Sequence, residues 1–381
     1  MDLNFTEEQQ MLRDTVRGLC AEHCPIDVVR KMEDDPIGFP TPFWKALGEL
    51  GVTGLTIPEA YGGGGQTALE AMIVYEELGR ALAPSPHFVS AVLSAGVLAK
   101  AGTEAQKREW LPKIASGEAI VSPAWLEPGG GYGSAGVRLA ASGGGGTVTL
   151  NGVKRHVLFA KAATRLLVLA RTGTGAADVD CFLVDPAAPG VTLRQQMTVA
   201  SDTQYEVTFR DVPVAATERV GAARGGWAAW SDVMHEGIIL LAAQAMGGAE
   251  RALEITVDFS KTRQQFDKPL GAFQALAHYM ADAVTNVDGG RTLVHEAAWA
   301  AASGRPIAKL APMAKLFACK TYRDVTAMAQ QVHGGIGFTT EYDIQLFFRR
   351  AKQMQLSFWD DRYLEELVAA AVLDERRAVR A

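Results

Sequence analysis

The chain has 381 residues, of which 48% are hydrophobic and 21% charged, and its formal net charge is −6 at pH 7. That length exceeds what one hydrophobic core usually supports, so two or three packed units are expected, and the ordinary composition excludes disordered and fibrous classes. An acidic balance gives no electrostatic basis for holding a phosphate backbone, so nucleic acid is not an expected partner.

From Phe5 to Lys113 apolar residues recur at helical spacing, as in TEEQQMLRDTVRGLCAEH, PFWKALGELG and ALEAMIVYEELGRAL, and Thr6 before acidic residues fits a helix cap. The opening MDLNFTEEQQMLRD is acidic and amphipathic, unlike a secretory or transit signal. Cys20 and Cys24 have no Cys or His pair downstream to complete a zinc site; with Cys181 and Cys319 they read as reduced and structural, and no metal is expected. The glycines of Tyr61 to Gly65 read as a turn.

After Glu118 the pattern changes to short alternating or β-branched runs (AIVSPAWL, VRLAAS, TVTLNGV, RLLVLART, CFLVD, VTLRQQ, YEVTFRDV) separated by Gly, Pro and Asp. Within them Gly131-x-Gly133-x-x-Gly136 formally satisfies the dinucleotide fingerprint. The residues that follow have a hairpin pattern instead of opening a helix, and no acidic residue stands about twenty positions on, so a turn is the better reading. From about Gly226 the helical period returns and persists to the C-terminus, long enough for a four-helix bundle. Its longest apolar run, Gly237 to Gly247, falls short of the ~20 residues that span a bilayer. The expected division is a helical domain (1–118), a small antiparallel β-barrel domain (119–225) and a helical bundle (226–381), an α+β chain whose clustered strands exclude a doubly wound sheet. A cytoplasmic location is the simplest expectation.

Three segments, LEPGGGYGSAG, KTRQQFDKPLGAFQ and QQVHGGIGFTTEYDIQLFFRRAK, together with GVTGLTIPEAYGGGG, KREWLPKIASGEAI and LNGVKRHVLFAKAATRLLVLAR, carry a resemblance over nearly the full length. The chain resembles the acyl-CoA dehydrogenase family, with R-x-x-F-x-K-P-L-x-x-F-Q and Q-x-x-G-G-x-G-F as its specific signatures. The resemblance implies FAD, with its ring between barrel and bundle, an acyl-CoA or acyl-carrier thioester as substrate, and an electron-transfer flavoprotein as acceptor. It also implies a dimer or tetramer of like or unlike chains, a homotetramer foremost. Cofactor contacts carry over to Trp125, Leu126, His156 and Leu158 in the barrel, to Arg263, Phe266 and Gln274, and to Gln331, Gly334 and Gly335 in a loop that reaches a neighbouring subunit's FAD. Arg263 suits a pyrophosphate through its guanidinium fork, and Gln274 suits the adenosine half. Gly334, Gly335 and Gly337 allow main chain to approach phosphates.

Dehydrogenation in the family needs a carboxylate to take the α-proton while flavin N5 takes the β-hydrogen as hydride. The usual base lies in a Y-E-G-T stretch downstream of R-x-A-K, kept here as Arg349, Arg350, Ala351 and Lys352; without gaps the Glu position is Phe358, whose backbone is a substrate-contact candidate. The alternative position on the first bundle helix falls on Gly237, with Glu236 adjacent but rotated ~100° around the helix. Asp360 is therefore the first candidate base and Glu236 the second, with a helix cap the plain alternative for Asp360. Further departures are Leu126 and Leu158 where the family commonly has Thr, His156 where it has Trp, and Asp267 where it has Gly. The missing glutamates leave open a base-lacking subunit of a heteromeric dehydrogenase, and the wider fold leaves open a flavin oxidase or monooxygenase.

Overall fold

The computed structural model describes residues 4–144 and 146–378. Helices α1 (Glu7–His23), α2 (Ile26–Lys31), α3 (Thr41–Glu49), α4 (Ala68–Arg80), α5 (Ala95–Ala101) and α6 (Glu104–Ala115) come first. Thr6 does cap α1, in a capping box with Gln9, and Thr67/Glu70 and Thr103/Gln106 repeat the device on α4 and α6. Strands β1 (Val121–Ala124), β2 (Ala140–Gly144), β3 (Thr147–Leu158), β4 (Arg165–Arg171), β5 (Val179–Val184), β6 (Val191–Gln196) and β7 (Gln204–Ala215) follow, one for each β-type run in the sequence. Then come the long α7 (Gly226–Thr262), a short hairpin of β8 (Gln264–Gln265) and β9 (Lys268–Pro269), α8 (Gln274–Ala302), α9 (Leu310–His333), α10 (Ile344–Leu356) and α11 (Asp361–Ala378).

The sheet runs β1-β4-β2-β3-β7-β6, with β5 also paired to β4. The expectation of a wholly antiparallel middle domain needs one correction: β1 pairs parallel with β4, and β2 meets β4 in parallel at Ala140 and Arg171. The β2–β3 hairpin intervenes between β1 and β4, so the chain re-enters beside β1 in the same direction instead of turning back on it. β4 is buried along nearly its whole length, as its apolar run Leu166–Ala170 requires, and β5 is buried throughout, Asp180 included. The Gly131–Gly136 segment forms one tight turn at Ser134–Gly136 and leads into β2, not a helix.

The chain resolves into two compact units that cut across the sequence segments. One joins the segment up to Val29, Thr67–Ala83 and everything from Ile238 on; the other joins Arg30–Gln66 and Pro84–Gly237. In the first, α4 and α7 cross with their backbones in contact: a Cβ on Gly79 would lie 2.0 Å from the Gln244 carbonyl oxygen, and one on Gly247 1.9 Å from that of Glu76. The approach buries Glu76 and Glu77, at 3% and 2% exposure. Arg13 (3.3 Å) and Arg17 (2.7 Å) reach Glu77 from α1, while Arg291 (3.3 Å) and His295 (3.6 Å) reach Glu76 from α8. Arg80 and Arg291 both extend to Glu250 on α7, at 2.7 and 2.8 Å. Among the described residues no helix is long and apolar enough to cross a membrane, and the four cysteines are buried and free.

Burial alone would raise the Glu76 pKa, but His295 and Arg291 outweigh it and hold the carboxyl below its ordinary value of 4.5. A depressed carboxylate contributes stability above its unfolded pKa and loses it as pH falls through the folded one. Glu76→Gln should therefore cost roughly 3 kcal/mol at neutral pH, the lower end for breaking a buried pair. The cost should shrink as the pH drops below 4.5. Urea unfolding of both proteins across that range checks it, and a difference independent of pH would assign the loss to packing alone.

Candidate functional site

The residues that the family resemblance implies for a flavin ring lie in the β-containing unit. The Leu126 carbonyl accepts the Arg155 amide at 2.9 Å, and Ser122 Oγ donates to the Leu158 carbonyl at 2.5 Å, so the end of β1 and the second half of β3 run side by side. This brings Trp125, Leu126, His156 and Leu158 together. Trp125 is buried against Trp230, with ring centroids 5.3 Å apart. The Leu126 amide donates to no group among the described residues, which leaves a main-chain donor where the leucine offers no hydroxyl.

A buried ion pair sets this segment. Lys154 on β3 is fully buried, and its Nζ lies 2.6 Å from Glu127 and 3.2 Å from the Trp125 carbonyl. Glu127 also accepts the Arg138 and Leu139 amides at 2.9 and 2.8 Å. Burial pulls the Lys154 pKa down to about 8, with the charge of Glu127 acting against it. Beyond Lys154 the register of β3 on β7 slips before Val157, and His156 takes a left-handed φ of 56° at this bulge. The bulge leaves His156 exposed, with its Nδ1 2.8 Å from Gln204 Oε1 and its amide 2.9 Å from Gln196 Oε1.

The other assigned residues belong to the helical unit. After α7, Phe266 and Asp267 form the two-residue turn of the β8–β9 hairpin, with φ of 52° and 61°. Asp tolerates this conformation better than most residues, so the turn survives the absence of glycine. Phe266 is 85% exposed. The side chains of Arg263, Gln274 and Gln331 are exposed and make no hydrogen bond or ion pair among the described residues. At the end of α9, Gly334 has φ 66°, and a Cβ on Gly334 or Gly335 would meet nothing within 4 Å, so that main chain is open to approach. Phe259, one turn before Arg263, stacks on His333 at 4.2 Å, and Tyr342 closes on His333 at 5.1 Å. The arginine end of α7 and the glycine loop are thereby fastened to one aromatic cluster.

Between α10 and α11, Phe358 and Trp359 are consecutive left-handed residues, with φ of 51° and 72°. The fully buried Lys315 of α9 donates to the Met354 and Trp359 carbonyls at 3.1 and 2.9 Å. Burial lowers the Lys315 pKa, and Asp361 and Asp360 are among the groups that oppose the shift. Asp360 is half-buried and caps α11 by accepting the Tyr363 amide at 3.0 Å. Asp361 accepts from Gln355 through one oxygen, and its other oxygen is buried without a hydrogen bond. Glu236, in the β-containing unit, is half-exposed and ion-paired with Lys100 at 2.9 Å. At Gly237 a Cβ would lie 3.0 Å from Leu93 and 3.4 Å from Phe88, so a longer side chain has no room without moving them. Sequence reasoning missed Lys154, Lys315, Glu127 and Gln204; the one available signal was a lysine at the inward parity of β3, where Leu150, Lys154 and Val157 are buried.

The chain matches the family models of the acyl-CoA dehydrogenase N-terminal domain over residues 6–118, middle domain over 122–212 and C-terminal domain over 224–373. It is 32% identical over 364 residues to a probable acyl-CoA dehydrogenase, YngJ, of Bacillus subtilis, covering 93% of this chain and 95% of that one. Butyryl-CoA dehydrogenase from Megasphaera elsdenii superposes with a TM-score of 0.90 at 28% identity, covering 98% of this chain and all of that one. A chain of the ChsE4-ChsE5 complex from Mycobacterium tuberculosis does so at 0.88 and 28%, covering 98% and 99%. The fold is thus that of a helix-sheet-helix oxidoreductase. The chain belongs to the acyl-CoA dehydrogenase family.

Lys154→Met should destabilise the protein by about 3–5 kcal/mol, because it leaves Glu127 buried without its cation. Adding Glu127→Gln should recover part of that loss. Chemical denaturation of the single and double variants measures both, and a single-variant cost under ~1 kcal/mol would show that the pair does not hold the segment.

Proposed function

We propose that the chain is an FAD-dependent acyl-CoA dehydrogenase that forms a 2,3-double bond in an acyl thioester. The observation that carries the reading is the set of exposed, unpartnered side chains of Arg263, Gln274 and Gln331 alongside the open main chain of Gly334 and Gly335. A cation, two amides and an unshielded backbone suit a pyrophosphate and an adenosine half. The free Leu126 amide, Trp125, Leu158 and His156 would serve the ring. Bound FAD supplies the hydride acceptor. Phe266 and Phe338, 85% and 71% exposed, suit burial by a second subunit, so we read the protein as a dimer or tetramer passing electrons to an electron-transfer flavoprotein.

Asp360 is the proposed base. One of its oxygens caps α11 while the other has no hydrogen-bond partner among the described residues. Lys315 fixes the main chain on both sides of Phe358, whose backbone would face the thioester. A second reading, the base-lacking subunit of a heteromeric dehydrogenase, is favoured by one observation: Phe358 and Gly237 hold the two glutamate positions, while Asp360 caps a helix and Glu236 is tied to Lys100.

The purified protein should be yellow and should bleach anaerobically with one member of a panel of short, branched, aromatic and steroid acyl-CoAs. Asp360→Asn should slow the bleaching by about 10²-fold or more. Undiminished bleaching in that variant would move the base to Glu236. A yellow protein that stays oxidised until a related chain is added would establish the partner-subunit reading, and a colourless protein that takes up no FAD would overturn both.

A further inference from the structure

Thr198, Asp202, Gln204 and His156 form one hydrogen-bonded chain within the β-containing unit. Thr198 Oγ1 donates to one oxygen of Asp202 at 2.5 Å, Gln204 Nε2 to the other at 2.6 Å, and Gln204 Oε1 meets His156 Nδ1 at 2.8 Å. The polarity is set at the Asp202 end. An ionised carboxylate only accepts, so the amide of Gln204 must turn its NH₂ toward Asp202 and its oxygen toward the imidazole. An amide oxygen also only accepts, so His156 Nδ1 must carry the hydrogen. Flipping the Gln204 amide would set its oxygen against a carboxylate oxygen and turn its NH₂ on the ring. Gln204 is 2% exposed and paired in the sheet with both Leu158 and Gln196, so it has no room to swing away.

The rest of His156 is fixed as well, by the left-handed bulge and by its amide bond to Gln196. In the neutral ring Nε2 then has a lone pair and no hydrogen. We propose that Thr198, Asp202 and Gln204 lock His156 as its Nδ1–H tautomer, so that Nε2 is presented as a hydrogen-bond acceptor for an N–H or O–H group of the bound flavin cofactor. Asp202 and Gln204 are the positioning residues. The indole common at this place in the family can only donate, so the histidine reverses the polarity offered to the cofactor. The tautomer follows from this chain alone; its use toward a flavin rests on the FAD reading above.

Protein selectively labelled with ¹⁵N-histidine, studied with and without FAD, tests both halves. His156 is assigned with His156→Phe, and two-bond ¹⁵N–¹H correlations above neutral pH report which nitrogen bears the hydrogen. The expected result is a protonated Nδ1 and a bare Nε2 in the wild type, and loss of that preference in Gln204→Leu and in Asp202→Leu, which removes the acceptor that orients the Gln204 amide. A wild-type ring protonated at Nε2, or an unchanged tautomer in a folded Asp202→Leu protein, would overturn the lock. His156→Phe should weaken FAD binding roughly 2- to 10-fold, the worth of one net hydrogen bond. Equal FAD affinity would overturn the cofactor role while leaving the tautomer standing, and failure of the wild type to bind added FAD would instead defeat the FAD reading itself.

Discussion

Charge that is taken out of water has to be neutralised where it is taken, and this fold buries charge in several places at once. The clearest is the adjacent pair Glu76 and Glu77 at the crossing of α4 with α7. Neighbouring residues on a helix point in different directions, so no single cation serves both. Glu77 draws Arg13 and Arg17 from α1, and Glu76 draws Arg291 and His295 from α8. One buried dipeptide therefore prescribes which helices surround it. Moving any of these helices by a turn would strand an ion in a low-dielectric interior, at a cost no surface pair could offset.

The same constraint orders, within each unit by itself, the segments that carry the proposed site residues. Lys154 and Glu127 hold the end of β1 against β3, and Glu127 accepts two further amides that bring the chain back toward β2. Lys315 holds the turn between α10 and α11 by donating to two carbonyls, and that turn contains two consecutive left-handed residues other than glycine. Phe358 and Trp359 would not adopt such a backbone unaided. A buried ammonium that satisfies the carbonyl of Trp359, with the indole itself packed inside, accounts for its persistence.

The cofactor and the chemistry stand on different footings. Arg263, Gln274 and Gln331, proposed for the phosphates and adenosine half of an FAD, are exposed, make no hydrogen bond or ion pair among the described residues and stand near helix ends, as a site meant for a ligand or a second subunit should be. The residues suited to proton removal already have structural tasks: Asp360 caps a helix and Glu236 pairs with Lys100. A cap uses one carboxylate oxygen and leaves the other, so the two roles are compatible for Asp360 in a way they are not for Gly237, where no acid exists and Phe88 and Leu93 occupy the space. The histidine at the β3 bulge is a further departure, and its neighbours Gln196 and Gln204 hold it in a specified orientation.

Period, turn residues and motif spacing were legible from the sequence because they are local. Thr6 caps α1 as its sequence context implies, each β-type run became a strand, and the glycine run from Gly131 led into a strand as its sequel indicated. The family signatures around Arg263 and Gly334 were equally plain, and so was the lack of a glutamate at positions 237 and 358. What the sequence could not show depends on partners far along the chain. The parallel entry of β1 beside β4 is one such feature, and so are the grouping of α1 and α4 with the later helices, the burial of Lys154 and Lys315, and the carboxylate that fixes the imidazole of His156. A lysine or an acid reads the same in sequence whether it meets water or a carbonyl. Only tertiary packing decides which, because the cost of burying charge depends on what lies within a few ångströms.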